Sequence, residues 1–193
     1  MKRLNIAQLE ELSKKYLRIS EEELMNFYGG GETYRFDSKG NLTIEQNDFD
    51  YNMVFAGNSS YIYDGTLTLS SYVANGVSGH TINGANLGLF KFLADNTNVE
   101  WGALYEGELD SDNSTECLLQ TCHQKDSVHM EYDTTSGYTS FIHNHPSSYP
   151  RYSDTDAETW MDMYDNNENI TNYGIYVNGE IDDYSNNVAY GHL

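Results

Sequence analysis

The chain changes character at Gly29-Gly30-Gly31, and that break limits what it can fold into. Before it, "MKRLNIAQLEELSKKYLRISEEELMNFYGG" is rich in helix formers. Leu9, Leu12 and Tyr16 stand at helical spacing, and Leu24 and Phe27 continue the apolar stripe. Consecutive glycines, sterically open, stop the helix. Beyond them Tyr, Asn, Asp, Ser, Thr and Gly dominate, which are residues of strands and turns. A lone amphipathic helix has no core of its own, so the folded body must be built by the strand-rich remainder.

Charge divides at the same place. The net charge is −20, yet Lys2, Arg3, Lys14, Lys15 and Arg18 balance Glu10, Glu11, Glu21, Glu22 and Glu23 before the glycines. The whole excess therefore lies after Gly30. So negative a surface repels phosphate backbones and excludes a nucleic-acid partner, while it favours solubility and, at most, cations or basic surfaces. No apolar run approaches the roughly 20 residues that a membrane-spanning helix needs, and the N-terminal stretch lacks a secretory signal pattern. On one continuous strand Cys117 and Cys122 would point to opposite faces about 16 Å apart, so two unpaired thiols are expected unless a turn joins them.

Periodicity and turn residues give a coarse map. "YRFDSKGNLTIEQ" reads as a hairpin around Lys39-Gly40-Asn41 and "YIYDGTLTLS" as another strand pair. "TINGANLGLFKFLADN" sets Ile82, Ala85, Leu89, Phe92 and Leu93 on one helical face. In "NVEWGALYEGEL", Val99, Trp101, Ala103 and Tyr105 alternate with Glu100, Gly102 and Leu104, the pattern of a strand. Strands are expected at 115–123, 127–133 and 138–145, then a helix over 154–165 with Ala157, Trp160, Met161 and Tyr164 inward. A closing hairpin turns at Asn178-Gly179. Mixed strands with two helices make the fold class α+β.

The densest chemistry is in "FIHNHPSSYPRYSDTD", residues 141–156. Phe141, His143 and His145 share one face at a strand end, so both imidazoles point the same way. Pro146 then ends the strand, and Ser153 and Asp156 open the next helix. Two neutral imidazoles and a carboxylate, with a position left for water, suit a catalytic zinc ion. Ser153 and Asp156 also have the spacing of a helix cap, and a surface His-x-His is commonly idle. The letters "HNH" at 143–145 are not read as a nuclease motif, since nuclease motifs of that name spread over a longer unit and the charge opposes DNA. His80, His123, His129 and His192 fit no pattern and are read as structural or exposed.

His-x-His-Pro, six residues, then Ser-x-x-Asp resembles the signature of the JAB/MPN (JAMM) zinc metalloproteases, matched here by His143, His145, Pro146, Ser153 and Asp156. The resemblance covers roughly residues 75–190. "FKFLADNTNVEWG" adds a likeness to the JAB-like toxin domains of bacterial polymorphic toxins. It implies a cytidine-deaminase-like mixed sheet flanked by helices over 75–193, preceded by a β-rich extension over 31–74. It further implies a Zn2+ cofactor held by His143, His145 and Asp156, and hydrolysis of an amide bond in a peptide or protein substrate. Glu100 is the expected general base, with Glu106 in reserve, and Ser153 the expected donor to a developing oxyanion. The family glutamate usually stands three residues before a glycine, whereas Glu100 stands two before Gly102. A non-catalytic JAB/MPN binding module and a secreted cell-wall peptide amidase are the competing readings.

Ile19, Ser20, Glu23, Leu24, Phe27, Gly29 and Gly30 resemble the double-glycine leader of peptides exported by bacterial transporters with a peptidase domain. An amphipathic helix docks its stripe in a groove, and glycines alone fit beside the scissile bond. That resemblance implies removal of residues 1–30 after Gly30 by a peptidase-containing ABC exporter and a secreted mature protein. The likeness to JAB-like toxin domains implies an immunity protein as a further partner.

Overall fold

The computed structural model describes residues 31–47, 49, 51–146, 153–166 and 169–185. The expected leader, with Gly29 and Gly30, lies outside the described residues, as does His192. Two sheets form. The smaller contains β1 (Glu32–Phe36), β2 (Leu42–Gln46), β3 (Asn52–Ala56) and β4 (Ser59–Tyr63) in the order β2-β1-β3-β4. The larger contains β5 (Thr68–Ala74), β6 (Val77–Asn83), β7 (Gly102–Tyr105), β8 (Leu118–Thr121), β9 (Ser140–Asn144), β10 (Asn172–Val177) and β11 (Glu180–Asp183). Its order is β11-β10-β9-β7-β8-β6-β5, with β9 and β10 parallel. Among the described residues, helices α1 (Leu87–Asn96) and α2 (Asp154–Asn166) accompany the sheets in an α+β arrangement.

Alternation along the central strands assigns each helix its side. Ala103, Tyr105, Ile142 and Tyr176 join α1 and the small sheet in one core, built with Tyr34, Phe36, Val54, Phe90 and Trp101. Leu104, Phe141, Tyr173, Ile175 and Val177 point the other way and pack against Trp160 and Met163 of α2. All four residues of β7 are therefore buried, which explains why "GALY" is apolar throughout.

Both turn-based hairpins form. Asn178 and Gly179 take φ of 53° and 88° between β10 and β11, the left-handed pair that a tight hairpin requires. Asp37 closes the β1–β2 turn by accepting the Lys39 and Asn41 amides at 2.8 and 3.0 Å.

Other expectations are corrected. "YIYDGTLTLS" is not a strand pair, because β4 pairs with β3 and β5 with β6 in different sheets. Residues 68–74, read with the extension, thus belong to the larger sheet. The first helix starts only at Leu87, where Asn86 caps it through the Leu89 amide at 2.9 Å. Ile82 is a strand residue, and Gly84 separates it from the helix with φ of 78° in a place where a Cβ would sit 2.3 Å from the Thr66 carbonyl oxygen. On α2 the inward stripe is Ala157, Trp160 and Met163, whereas Met161 and Tyr164 are 44% and 47% exposed.

No strand forms at 127–133. The buried side chain of Gln120 takes the place of a neighbouring backbone there. Its oxygen accepts the Glu131 amide at 2.8 Å, and its nitrogen donates to the Glu131 carbonyl at 2.9 Å. Tyr72 adds a hydroxyl bond to the His129 carbonyl at 2.5 Å, and the Cys122 thiol donates to that of Ser127 at 3.0 Å. Both cysteines are free, as expected.

Candidate metal centre

Strand register places the expected residues. Gly102 lies directly across from His143 in the β7–β9 pair, and Asn144 donates its amide to the Trp101 carbonyl one step further on. The ladder ends there, with the Trp101 amide donating to the Asn144 side chain at 2.7 Å, and Glu100 and His145 follow just beyond it. Their side chains share the face of Gly102 and His143, because positions two apart on a strand point the same way. Glu100 reaches the histidines despite its two-residue spacing from Gly102, and its Oε1 lies 3.9 Å from His145 Nε2. The glycine has its own reason: a Cβ at 102 would meet Met130 Sδ at 2.6 Å. Glu106, the reserve, is exposed beyond the opposite end of β7 and has no place in the cleft.

Asp156 arrives from the first turn of α2. Ser153 is its anchor: the Ser153 amide and hydroxyl donate to Asp156 Oδ2 at 2.6 and 2.8 Å, and the Asp156 amide donates back to Ser153 Oγ at 3.2 Å. The helix-cap and carboxylate-orienting readings are thus one arrangement. The Ser153 hydroxyl proton is directed at Asp156.

His143 Nε2 and His145 Nε2 are 3.0 Å apart, and they lie 3.2 and 3.4 Å from Asp156 Oδ1 and Oδ2 respectively. Among the described residues these three form a group of three side chains able to share one ion. Ligands at about 2.0–2.1 Å from a tetrahedral zinc ion stand about 3.3 Å from one another, so the donor set fits that ion in type and spacing. Stacking on Phe141, with ring centroids 5.6 Å apart, orients the His143 ring.

Electrostatics agree with ligation. Burial pushes the His143 pKa down despite the hydrogen bond with Asp156, which leaves a neutral imidazole. Burial alone would raise the Asp156 pKa, but hydrogen bonding to His143 and His145 and the Ser153 amide outweigh it and hold the carboxyl well below its usual range. Metal binding requires those two protonation states. Glu100 goes the other way. Burial lifts it to about 8; His145 opposes the rise, while Asp156 and Asp126 add to it.

Glu100, His143, Ser153 and Asp156 line a cleft of about 340 Å3 between β7, β9, α2 and the segment 126–132. That segment supplies Asp126, Val128, His129 and Met130, and α2 supplies Thr159 and Asp162. Sequence reasoning missed these residues, having assigned 127–133 to the sheet. His80 and His123, read as structural or exposed, meet each other on the same sheet outside this cleft.

A buried histidine on a central strand with a second just past its end, a carboxylate from the following helix and a glutamate just before the neighbouring strand are the residues that the resemblance to JAB/MPN proteins singled out. Residues 81–173 match the model of the family described as JAB-like toxin 1, a match that supports a JAB-like toxin over this stretch. No curated protein and no solved structure matches the chain.

Proposed function

We propose that the protein is an exported toxin or effector that hydrolyses an amide bond in a peptide or protein as a zinc-dependent peptidase or isopeptidase. The observation that carries this reading is the convergence of Glu100 with His143, His145 and Asp156 beside one cleft. His143, His145 and Asp156 would hold the zinc ion, which supplies a Lewis acid for the scissile carbonyl and lowers the pKa of water.

The chain's own groups do the rest. Glu100, buried and facing the histidines, takes a proton from attacking water and delivers it to the leaving amine. Ser153 holds Asp156 in its ligating orientation, and its hydroxyl turns to a developing oxyanion only by giving up one of its bonds to Asp156. Asp126 and Asp162, with no Lys or Arg among the described lining residues, disfavour acidic or phosphorylated substrates.

Removal of residues 1–30 after Gly30, secretion by a peptidase-containing ABC exporter and neutralisation by an immunity protein belong to the same proposal. Metal analysis of the purified chain tests the centre: His145→Ala should lose zinc that the parent retains, and equal zinc in both would overturn the ligand assignment. Growth arrest on expression that vanishes in Glu100→Gln supports the toxin; harmless expression in every compartment refutes it. Mass spectrometry of exported protein should find Gly31 at the N-terminus.

A further inference from the structure

His80 stands on β6, and His123 follows the neighbouring strand β8, where Thr121 is paired with His80. The two rings meet edge-on with centroids 4.7 Å apart, and His80 Nδ1 is in direct contact with His123 Nε2. The second nitrogen of His123, Nδ1, donates to the Lys39 carbonyl at 2.6 Å. That bond fixes the tautomer and leaves a lone pair on Nε2, the nitrogen aimed at His80. A ligating imidazole is commonly backed by a carbonyl in this way. His123 also takes a left-handed φ of 59°, where its amide is caught by Thr121 Oγ1 at 3.1 Å. The chain thus adopts a sparsely populated backbone conformation to aim this ring. Outside the pair a cavity lined by Ser71, Ser78 and Glu131 opens to solvent, with room for water molecules to complete a coordination sphere.

We propose that His80 and His123 form a second metal site, for a divalent transition ion such as Zn2+ or Cu2+, that clasps the β1–β2 turn onto the segment carrying Glu100. The clasp acts through Lys39. The Asn98 amide donates to the Ser38 carbonyl at 2.9 Å, and the Phe36 ring meets Trp101 edge-on at 5.8 Å. Gly40 comes so near that a Cβ there would stand 3.0 Å from both Val99 and Trp101. Residues 98–101, with Glu100 among them, are therefore braced by the turn whose carbonyl orients His123. Two imidazoles, with Glu131 in the cavity wall but no carboxylate grouped with the ring nitrogens, bind a borderline ion but do not equip it for the proton transfers of hydrolysis, so the site is a structural one. His80 lies just before the matched stretch 81–173.

The test uses the full chain with the first centre emptied by His145→Ala and Asp156→Asn. Calorimetric titration with Zn2+ should still find one ion per chain, and Cu2+ should give an electron paramagnetic resonance spectrum split by two nitrogens. Adding His80→Gln or His123→Asn, the latter chosen because Asn tolerates positive φ, should weaken Zn2+ by about 100-fold or more, beyond what loss of an outer partner costs. Loss of all Zn2+ binding in the emptied chain would overturn the site, as would binding indifferent to both substitutions, since the pair is then a hydrogen-bonded contact only. Nitrogen-15 spectra of the emptied chain give a second readout without touching the pair. Zn2+ should shift the His80 Nδ1 and His123 Nε2 signals, and unmoved signals refute coordination.

Discussion

The pairs His143/His145 and His80/His123 bring two imidazoles together on the same seven-stranded sheet, but the surroundings differ. The first lies between β9 and α2, where Asp156 closes a three-donor set and Glu100 waits across the strand. The second lies toward the edge of the sheet, backed by the Lys39 carbonyl. Imidazoles alone supply neutral donors. A carboxylate ligand and a buried acid convert a place to hold an ion into a place where an ion can do chemistry.

His143→Ala should break that comparison most severely. It should remove zinc from the first centre, lower hydrolysis by about three orders of magnitude or more and leave the second pair intact, as metal content and kinetics would show. Trp160→Ala comes next. It removes a fully buried ring beside His143 and should cost about 3–5 kcal/mol in denaturant unfolding. Glu100→Gln should keep the zinc and lose about 10^2–10^4-fold in turnover, whereas the same change at exposed Glu106 should have no effect.

Glu100 also predicts a pH dependence for the metal-free protein. Its pKa when folded, about 8, lies above the ordinary 4.5. Stability from this group is then fully present below about pH 4.5 and falls as pH rises toward 8, at no more than about 1.4 kcal/mol per pH unit. Glu100→Gln should flatten that decline in unfolding curves measured from pH 5 to 9. The smallest effect belongs to Ser153→Ala, which loses the α2 cap for about 1 kcal/mol and loosens Asp156, so zinc affinity should fall about tenfold.

Much of this was legible in the residues. Asn178-Gly179 and Lys39-Gly40-Asn41 mark turns that permit few alternatives, and they became hairpins. The candidate trio was readable because His-x-His puts both rings on one strand face whatever the sheet around it, and the structure brings His143, His145 and Asp156 together. Glu100 was legible as a residue, but its orientation waited on the β7–β9 register, which pairs Gly102 with His143. What stayed hidden depended on distant partners. Nothing local says that β4 and β5 join different sheets, or that Gln120 satisfies the backbone of Glu131. Met161 and Met163 suit α2 equally by composition, and packing against β9 and β10 selects Met163. The His80/His123 contact joins strands far apart in sequence and has no spacing signature.

The side-chain attachment of residues 126–132 has a consequence for how the protein can diversify. A strand is committed to its neighbours by every second residue, so its sequence is tied to the sheet. The roof of the cleft is secured by Gln120, Tyr72 and Cys122, and its own contribution to those bonds is largely carbonyl and amide groups that any residue provides. Where the roof side chains are exposed, as at Asp126 and Glu131, descendants of this chain can rewrite them while the sheet beneath is inherited unaltered.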